Sequence, residues 1–466
     1  MDETSQPVEL LLSVSRDGAE TLVAQIEGQL RGAIRDGSLR AGAQVPSTRD
    51  LARQLGVSRR VIVDAYGQLA AEGYLRLRQG ARPQVSGAGA AGAPSDQIRA
   101  APARPPRYDF RPSVPDVSDF PRSSWLRSLR QALGAIADLD LGYGDPLGVG
   151  ELRIALADYL GRVRGVVAEP GRVIVTSGYT QGLALVAHAL ASGGAKRIAI
   201  EDPTNPEQRE IVARAGLETV AVGVDEEGMR VDELGHADAV VLTPAHQHPT
   251  GVVLSGERRT ALLAWLRERG AIAIEDDYDA EYRYDRAAVG ALQGLDPERV
   301  VYAGSSSKTL APALRIGWLV APPALVDAIR AEKLLADRGT ARIEQLALAD
   351  FLTRGDLDRY LRRMRVLYRA RRDALVAAVD EELPEATIRG IAAGLHATVE
   401  LPAGADERAI QAEAEHRRVL IAVMSDARIG DAPLPPALLL GYAHTPEPSI
   451  APGVREIAAA VRACDS

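Results

Sequence analysis

At 466 residues, with 46% hydrophobic residues and a formal charge of −8, the chain is long enough for two or three domains and too acidic to coat nucleic acid through net charge alone. Its one cysteine, Cys464, excludes an intramolecular disulfide and a thiolate metal cluster and fits a reducing cytosol. No apolar run reaches bilayer-spanning length, and the first residues lack a basic and apolar leader pattern, so a soluble cytoplasmic protein with no membrane partner is expected.

Residues 10–86 read as a small DNA-binding domain. Val23, Ile26, Leu30 and Ile34 recur at helical spacing, which predicts a helix from about Glu20 to Asp36. Ser47 with Asp50 three later opens a second helix, Gly56-Val57 makes a tight turn, and Ser58 caps a third helix whose inner face is Val61, Ile62, Ala65 and Leu69. Two short helices joined by a glycine turn make a helix-turn-helix. The alternating Tyr74-Leu-Arg-Leu-Arg78, the Gln79-Gly80 turn and the return from Arg82 to Ser86 make a wing. From Arg40 to Arg82 there are eight arginines against three acids, a local basic patch in an acidic chain. The run from Ala33 to Gly80 resembles the winged helix of the GntR regulators. That resemblance implies contacts to double-stranded operator DNA from Arg49, Ser58, Arg59, Arg60 and the wing arginines Arg76, Arg78 and Arg82. Ala81 departs from the family, which often has a second glycine at the wing tip.

Residues 87–107, rich in Gly, Ala, Pro, Ser and Arg, read as a flexible linker. From 108 to 340 strand-like and helix-like runs alternate, the signature of a mostly parallel sheet with crossover helices. Arg172 to Gly182 is a strand, a small-residue loop and a helix start suited to a phosphate. Two further strand-like runs end in polar residues. Ala239 to Thr243 leads into the loop His246-Gln-His-Pro-Thr-Gly251, and Ala271 to Ile274 ends in Glu275-Asp-Asp-Tyr278. Carboxylates massed at the end of a buried strand are costly unless they face a cation. A metal is the weaker choice, because no familiar ligand spacing accompanies them; no metal is expected.

The stretch Val300 to Gly317 carries Lys308 among serines at a strand end. Only Lys196, Lys308 and Lys333 are lysines in a chain with 55 Lys and Arg. Arginine replaces lysine as a surface charge but forms no Schiff base. A lysine kept here is either an ordinary loop cation or a candidate for imine chemistry, which in such a fold suggests pyridoxal 5'-phosphate (PLP) with Ser305, Ser307 and Arg315 for its phosphate. This stretch alone does not decide, and the rest of the chain does.

Tyr143-Gly-Asp-Pro146, Gly178-Tyr-Thr-Gln181, His246 to Gly251, Glu275 to Tyr278 and Ser307-Lys308 with Arg315 together resemble fold-type I aminotransferases, and more closely the aminotransferase-like domain of the MocR subfamily of GntR regulators. The expected fold is therefore multidomain: a winged helix-turn-helix at 10–86, a linker at 87–107, and an α/β PLP-dependent transferase of fold type I with a large α/β domain at 108–340 and a small α+β domain at 341–466. The resemblance implies that Lys308 holds PLP, Asp276 pairs with the ring nitrogen, Tyr278 bonds the phenolic oxygen, and Gly178, Tyr179, Thr180, Gln181, Ser305, Ser307 and Arg315 bind the phosphate. His248 stands where the enzymes have the asparagine of Asn-Pro-Thr-Gly. Tyr143 would reach the phosphate of the partner subunit in a head-to-tail homodimer.

Two further departures matter. Asn205 replaces the ring-covering tyrosine of Glu-x-Pro-x-Tyr, and Leu439 aligns with the arginine that clamps a substrate carboxylate. The resulting expectation is a transcription regulator that senses PLP or an amine or amino acid through Lys308. The alternative is an active aminotransferase with a fused DNA-binding domain. A third reading is a DNA-binding protein whose second domain is a cofactor-free scaffold.

Overall fold

The computed structural model describes residues 12–17, 20–86, 105–279, 281–284, 289–390, 392–430 and 433–464. The linker expected at 87–107 lies, as far as residue 104, outside the described residues. The chain forms two compact units, residues 1–104 and 105–466.

In the first unit, α1 (Leu22–Arg35), α2 (Thr48–Leu55) and α3 (Arg59–Ala71) precede a two-stranded ribbon, β1 (Leu75–Arg76) with β2 (Gln84–Val85). Ile26, Leu30 and Ile34 of α1 pack with Leu51, Ile62, Ala65, Tyr66 and Leu69, so the helical spacing becomes one shared core. Thr21 caps α1, and Gly56 ends α2 in the left-handed conformation.

The second unit is built on an eight-stranded sheet. Its strands are β4 (Val173–Thr176), β5 (Arg197–Asp202), β6 (Glu218–Asp225), β7 (Gly228–Met229), β8 (Ala239–Leu242), β9 (Ile272–Asp276), β10 (Val300–Ser305) and β11 (Gly317–Val320), in the order β4-β11-β10-β9-β8-β5-β6-β7. The core strands β6, β5, β8, β9 and β10 run parallel, and β11 is antiparallel to both of its neighbours. The central strands β5, β8, β9 and β10 are buried over most of their length, which is why they read as nearly continuous apolar runs, whereas β6 towards the edge is largely half-buried. Helices α5 (Gly150–Arg164), α6 (Tyr179–Ser192), α7 (Glu207–Arg214), α8 (Gly256–Arg269) and α10 (Pro323–Ala336) accompany the sheet, and the single turn α9 (Ser306–Thr309) follows β10 directly.

A second sheet, antiparallel, has the order β12 (Thr387–Arg389), β13 (His396–Glu400), β16 (Ala437–Gly441), β15 (Ala422–Val423). It packs with α12 (Asp356–Glu382), α13 (Glu407–His416) and α14 (Glu447–Cys464), while α4 (Arg122–Ala135) and α11 (Arg342–Thr353) join the same core. The short β3 (Tyr108–Asp109) pairs with β14 (Val419–Leu420), and Gly441 donates its N–H to the Phe110 carbonyl at 2.7 Å. The chain therefore enters this unit at the small sheet, although its first residues were expected with the large one. The next residues, Pro112 and Ser113, reach the pocket described below.

Candidate functional site

In the first unit, Ser47 Oγ accepts the Asp50 N–H at 3.2 Å, the N-cap that the spacing predicts. Ser58 occupies the same position on α3 but makes no cap hydrogen bond, and its side chain is exposed. Arg49, Arg59, Arg60, Arg76, Arg78 and Arg82 are all exposed. Arg59 Nε lies 3.4 Å from Thr48 Oγ1, and Arg82 lies 4.0 Å from Asp50. These contacts bring the wing and the starts of α2 and α3 to one face. Open N–H groups at a helix start and exposed guanidiniums are what a phosphate backbone requires.

In the second unit, a pocket of about 410 Å³ opens where β9 and β10 end. Lys308, Asp276, Tyr278, His248, Ser305, Ser307, Arg315, Tyr179 and Thr180 all line it. β9 and β10 are parallel neighbours with Asp276 opposite Ala303, so the carboxylate and the α9 lysine emerge at the same edge. The three successive acids separate by the alternation of a strand. Glu275 accepts the Leu292 and Gln293 N–H groups at 2.9 Å each, and Asp277 accepts from Arg164 Nε and Tyr302 OH at 2.7 Å each. Of these acids, Asp276 alone lines the pocket. The massed acids of the sequence are thus one pocket carboxylate between two structural ones.

Burial pushes the Asp276 carboxyl well above its usual range, with Asp277 and Asp279 adding to the effect and Lys308 opposing it. Burial likewise draws the Lys308 ammonium below its ordinary value, against the pull of Asp276. His248 is held neutral by burial and by repulsion from His396, His246 and Lys308. Among the described residues its Nδ1 has no hydrogen-bond partner, and neither has the hydroxyl of Ser113, which also lines the pocket. Ser113 has φ 59°, a strained conformation for serine, and no periodic signal in the sequence marks it.

The phosphate end is a cradle. Gly178, at φ 123°, starts α6, and a Cβ there would stand 3.2 Å from Arg315 Nη2, so only glycine leaves the approach open. Ser305 Oγ accepts the Ser307 N–H at 3.4 Å. The first-turn N–H groups of α6 have no acceptor inside the helix. A buried carboxyl for a ring nitrogen, a depressed lysine for an aldehyde and this cradle for a phosphate fit PLP.

Two expected residues, Gln181 and Tyr179, turn their side chains elsewhere than to the phosphate end. Gln181 is turned away from the pocket: its Oε1 accepts the Ser177 N–H at 2.8 Å and its Nε2 donates to Asp337 at 2.7 Å, so only its backbone is left for a phosphate. Tyr179 lies at the opposite end from that expected of it. Its hydroxyl bonds Asp276 and accepts from Gln208 Nε2 at 3.1 Å, placing an aromatic ring in the pocket although residue 205 lacks one. Asn205 Oδ1 instead accepts the Glu207 N–H at 3.1 Å at the start of α7. Tyr143 is 89% exposed and stacks under Arg338, away from Lys308 of its own chain. The Tyr278 hydroxyl lies 3.1 Å from His246 Nδ1. Leu439 is buried on β16 opposite Thr398, against Met424 and Ala437, and places no cation near the pocket. Among the described residues there is no cluster able to hold a metal ion, and no helix is long and apolar enough to cross a membrane.

The profile of the bacterial regulatory proteins of the gntR family matches residues 22–85, and that of the class I and II aminotransferases matches residues 119–424. The pyridoxine biosynthesis transcriptional regulator PdxR of Corynebacterium glutamicum is 35% identical over 81% of this chain and 83% of its own length. The probable rhizopine catabolism regulatory protein MocR of Rhizobium meliloti is 33% identical over 98% and 97%. Among solved structures, an archaeal alanine:glyoxylate aminotransferase superposes with a TM-score of 0.70 at 25% identity, covering 76% of this chain and 91% of its own. The α-aminoadipate aminotransferase LysN of Thermus thermophilus gives 0.69 at 26%, covering 76% and 92%.

Proposed function

This chain belongs to the MocR/PdxR-type GntR transcription regulators, a winged helix fused to a PLP-binding, aminotransferase-like domain, and on that premise we propose that Lys308 is the residue that carries PLP and senses the effector. Bound PLP supplies an aldehyde that condenses with primary amines. Asp276, driven towards its protonated form by burial, regains its charge by holding a protonated ring nitrogen. Arg315, Ser305, Ser307 and the backbone from Gly178 to Gln181 receive the phosphate. Tyr278 and His248, which line the same pocket, would hold the phenolic oxygen. The effector is PLP itself or an amine that reacts with it. With Leu439 at the clamp position, the pocket lacks the fork of hydrogen bonds that holds an α-carboxylate, which favours sensing over transamination.

On the DNA side, α3 enters the major groove with Arg59 and Arg60 at its start, and Arg76, Arg78 and Arg82 of the wing contact the backbone. A head-to-tail homodimer in the cytoplasm sets two such heads on two half-sites, with Tyr143 reaching its partner's phosphate. Ligand shifts DNA binding only by favouring one arrangement of the dimer over another.

The observation that carries this reading is the convergence of Lys308 and Asp276 at adjacent strand ends, beside the Gly178–Arg315 cradle. Borohydride reduction followed by peptide mapping tests it. A pyridoxyl group on the Lys308 peptide, lost in Lys308→Ala, is expected; a label on Lys196 or Lys333 overturns it.

A further inference from the structure

Of the three lysines, Lys333 is the one with no exposed surface. It lies in the last turn of α10, outside the pocket lining. Its Nζ donates to Asp337 Oδ2 at 2.9 Å and to Thr340 Oγ1 at 3.0 Å, and lies 3.5 Å from Gln181 Oε1. Each acceptor leads back to the cradle. Gln181 joins Asp337 to the Ser177 N–H, and Thr340 Oγ1 donates to the Val175 carbonyl at 3.3 Å. One ammonium thus ties the end of β4, the residue before Gly178 and the first turn of α6.

The residue type is itself informative. A buried ammonium is costly unless it is paired and fully hydrogen-bonded. Burial draws Lys333 below its ordinary value, and Asp337 offsets this. An ammonium directs three donors from one point, whereas a guanidinium is a planar fork of larger size. In a chain that uses arginine almost everywhere else, lysine persists where three acceptors converge on one small centre.

We propose that Lys333 is a positioning residue for the cofactor phosphate, acting through Gln181 and Asp337 to hold the Gly178–Gln181 loop in the form that receives a phosphate monoester. This rests on the reading that PLP sits with its phosphate on that loop.

The test is equilibrium binding of PLP and of pyridoxal, the same aldehyde without phosphate, to the full-length protein. Wild type should prefer PLP. Lys333→Met should weaken PLP binding about tenfold, the scale of a lost charge-assisted network, and move pyridoxal by less than about twofold. Lys333→Arg should not restore it. Adding Gln181→Leu to Lys333→Met should cost little more, because both act on one loop. Equal losses for the two aldehydes, or unchanged PLP affinity, overturn the proposal. Should Lys333→Met fail to fold, Asp337→Asn carries the test, with a PLP-selective loss expected and unchanged selectivity overturning it. A wild type that binds both aldehydes equally sinks the phosphate-loop reading itself, which distinguishes the two failures.

Discussion

Arg59 and Arg60 stand in solvent, held to the rest of the chain by a 3.4 Å contact with Thr48 and an exposed 3.1 Å pair with Asp64. Arg164, behind the pocket, is buried and fastened to Asp277 at 2.7 Å, and Lys333 is buried among three acceptors. Exposed cations of the first kind contribute little to stability and are screened by salt, which leaves them free for another polyanion. Cations of the second kind are committed to geometry. The two units should therefore respond differently to the same perturbations.

The largest expected effect is at Lys308. Lys308→Ala should abolish the visible band of the PLP-loaded protein while leaving ligand-free DNA binding within about twofold, since on the proposed reading the α3 contacts to the groove do not involve the PLP pocket. Absorbance and a gel-shift titration check this. A collapse of DNA binding would mean that the two units are not separable in this way.

Arg59→Ala combined with Arg60→Ala is the reverse case. Each lost phosphate contact should lower the salt slope of DNA binding by about 1 and the affinity by roughly tenfold, with PLP affinity unchanged. Titrations at several salt concentrations read both. An unaltered slope would remove α3 from the interface.

The buried acids supply a pH dependence opposite in sign to that of the winged helix, where hydrogen bonds from Ser38 to Asp36 and from Gln68 and Arg31 to Glu72 hold both carboxyls below their ordinary range. Burial pushes Glu201 and Glu275 up to about 7, against hydrogen bonds from Thr243 and Gln247 to the first and from Leu292 and Gln293 to the second. Folded-state values above the unfolded ones mean that the native state binds more protons. That contribution to stability is intact below pH 4 to 5 and is lost as pH rises through about 7. The loss is on the order of 3 kcal/mol per carboxyl. Denaturation of the ligand-free protein at pH 5.5 and 8 should show the aminotransferase-like unit weakening towards the alkaline side. The opposite trend would place these carboxyls in a more polar setting than the fold gives them.

Much of this is legible in the residues themselves. The strand–loop–helix order, Lys308 at a strand end and the three helices with their wing follow from periodicity and turn residues. The role of each acid in Glu275-Asp-Asp is not legible, because strand alternation assigns the side chains to different neighbours only once the sheet order is known. Ser113 escapes a sequence reading because its place comes from a non-periodic segment that returns to the pocket from the small sheet. Tyr179 and Gln181 read as one phosphate loop. A helix start sends successive side chains in different directions, one to Asp276 and the other to Asp337.

The smallest predicted effect separates two serines that are alike in sequence. Ser47 and Ser58 both precede helices, yet only Ser47 makes the cap bond. Ser47→Ala should cost about 1 kcal/mol of winged-helix stability. Ser58→Ala should cost roughly half of that or less, since no cap bond is lost, and should still weaken DNA binding, because an exposed hydroxyl at the start of α3 is available to a backbone phosphate. Thermal melts and gel shifts on the two variants resolve the pair. Equal melting losses with no change in DNA affinity would mean that Ser58 is an ordinary cap and that the groove-facing end of α3 is defined by its arginines alone.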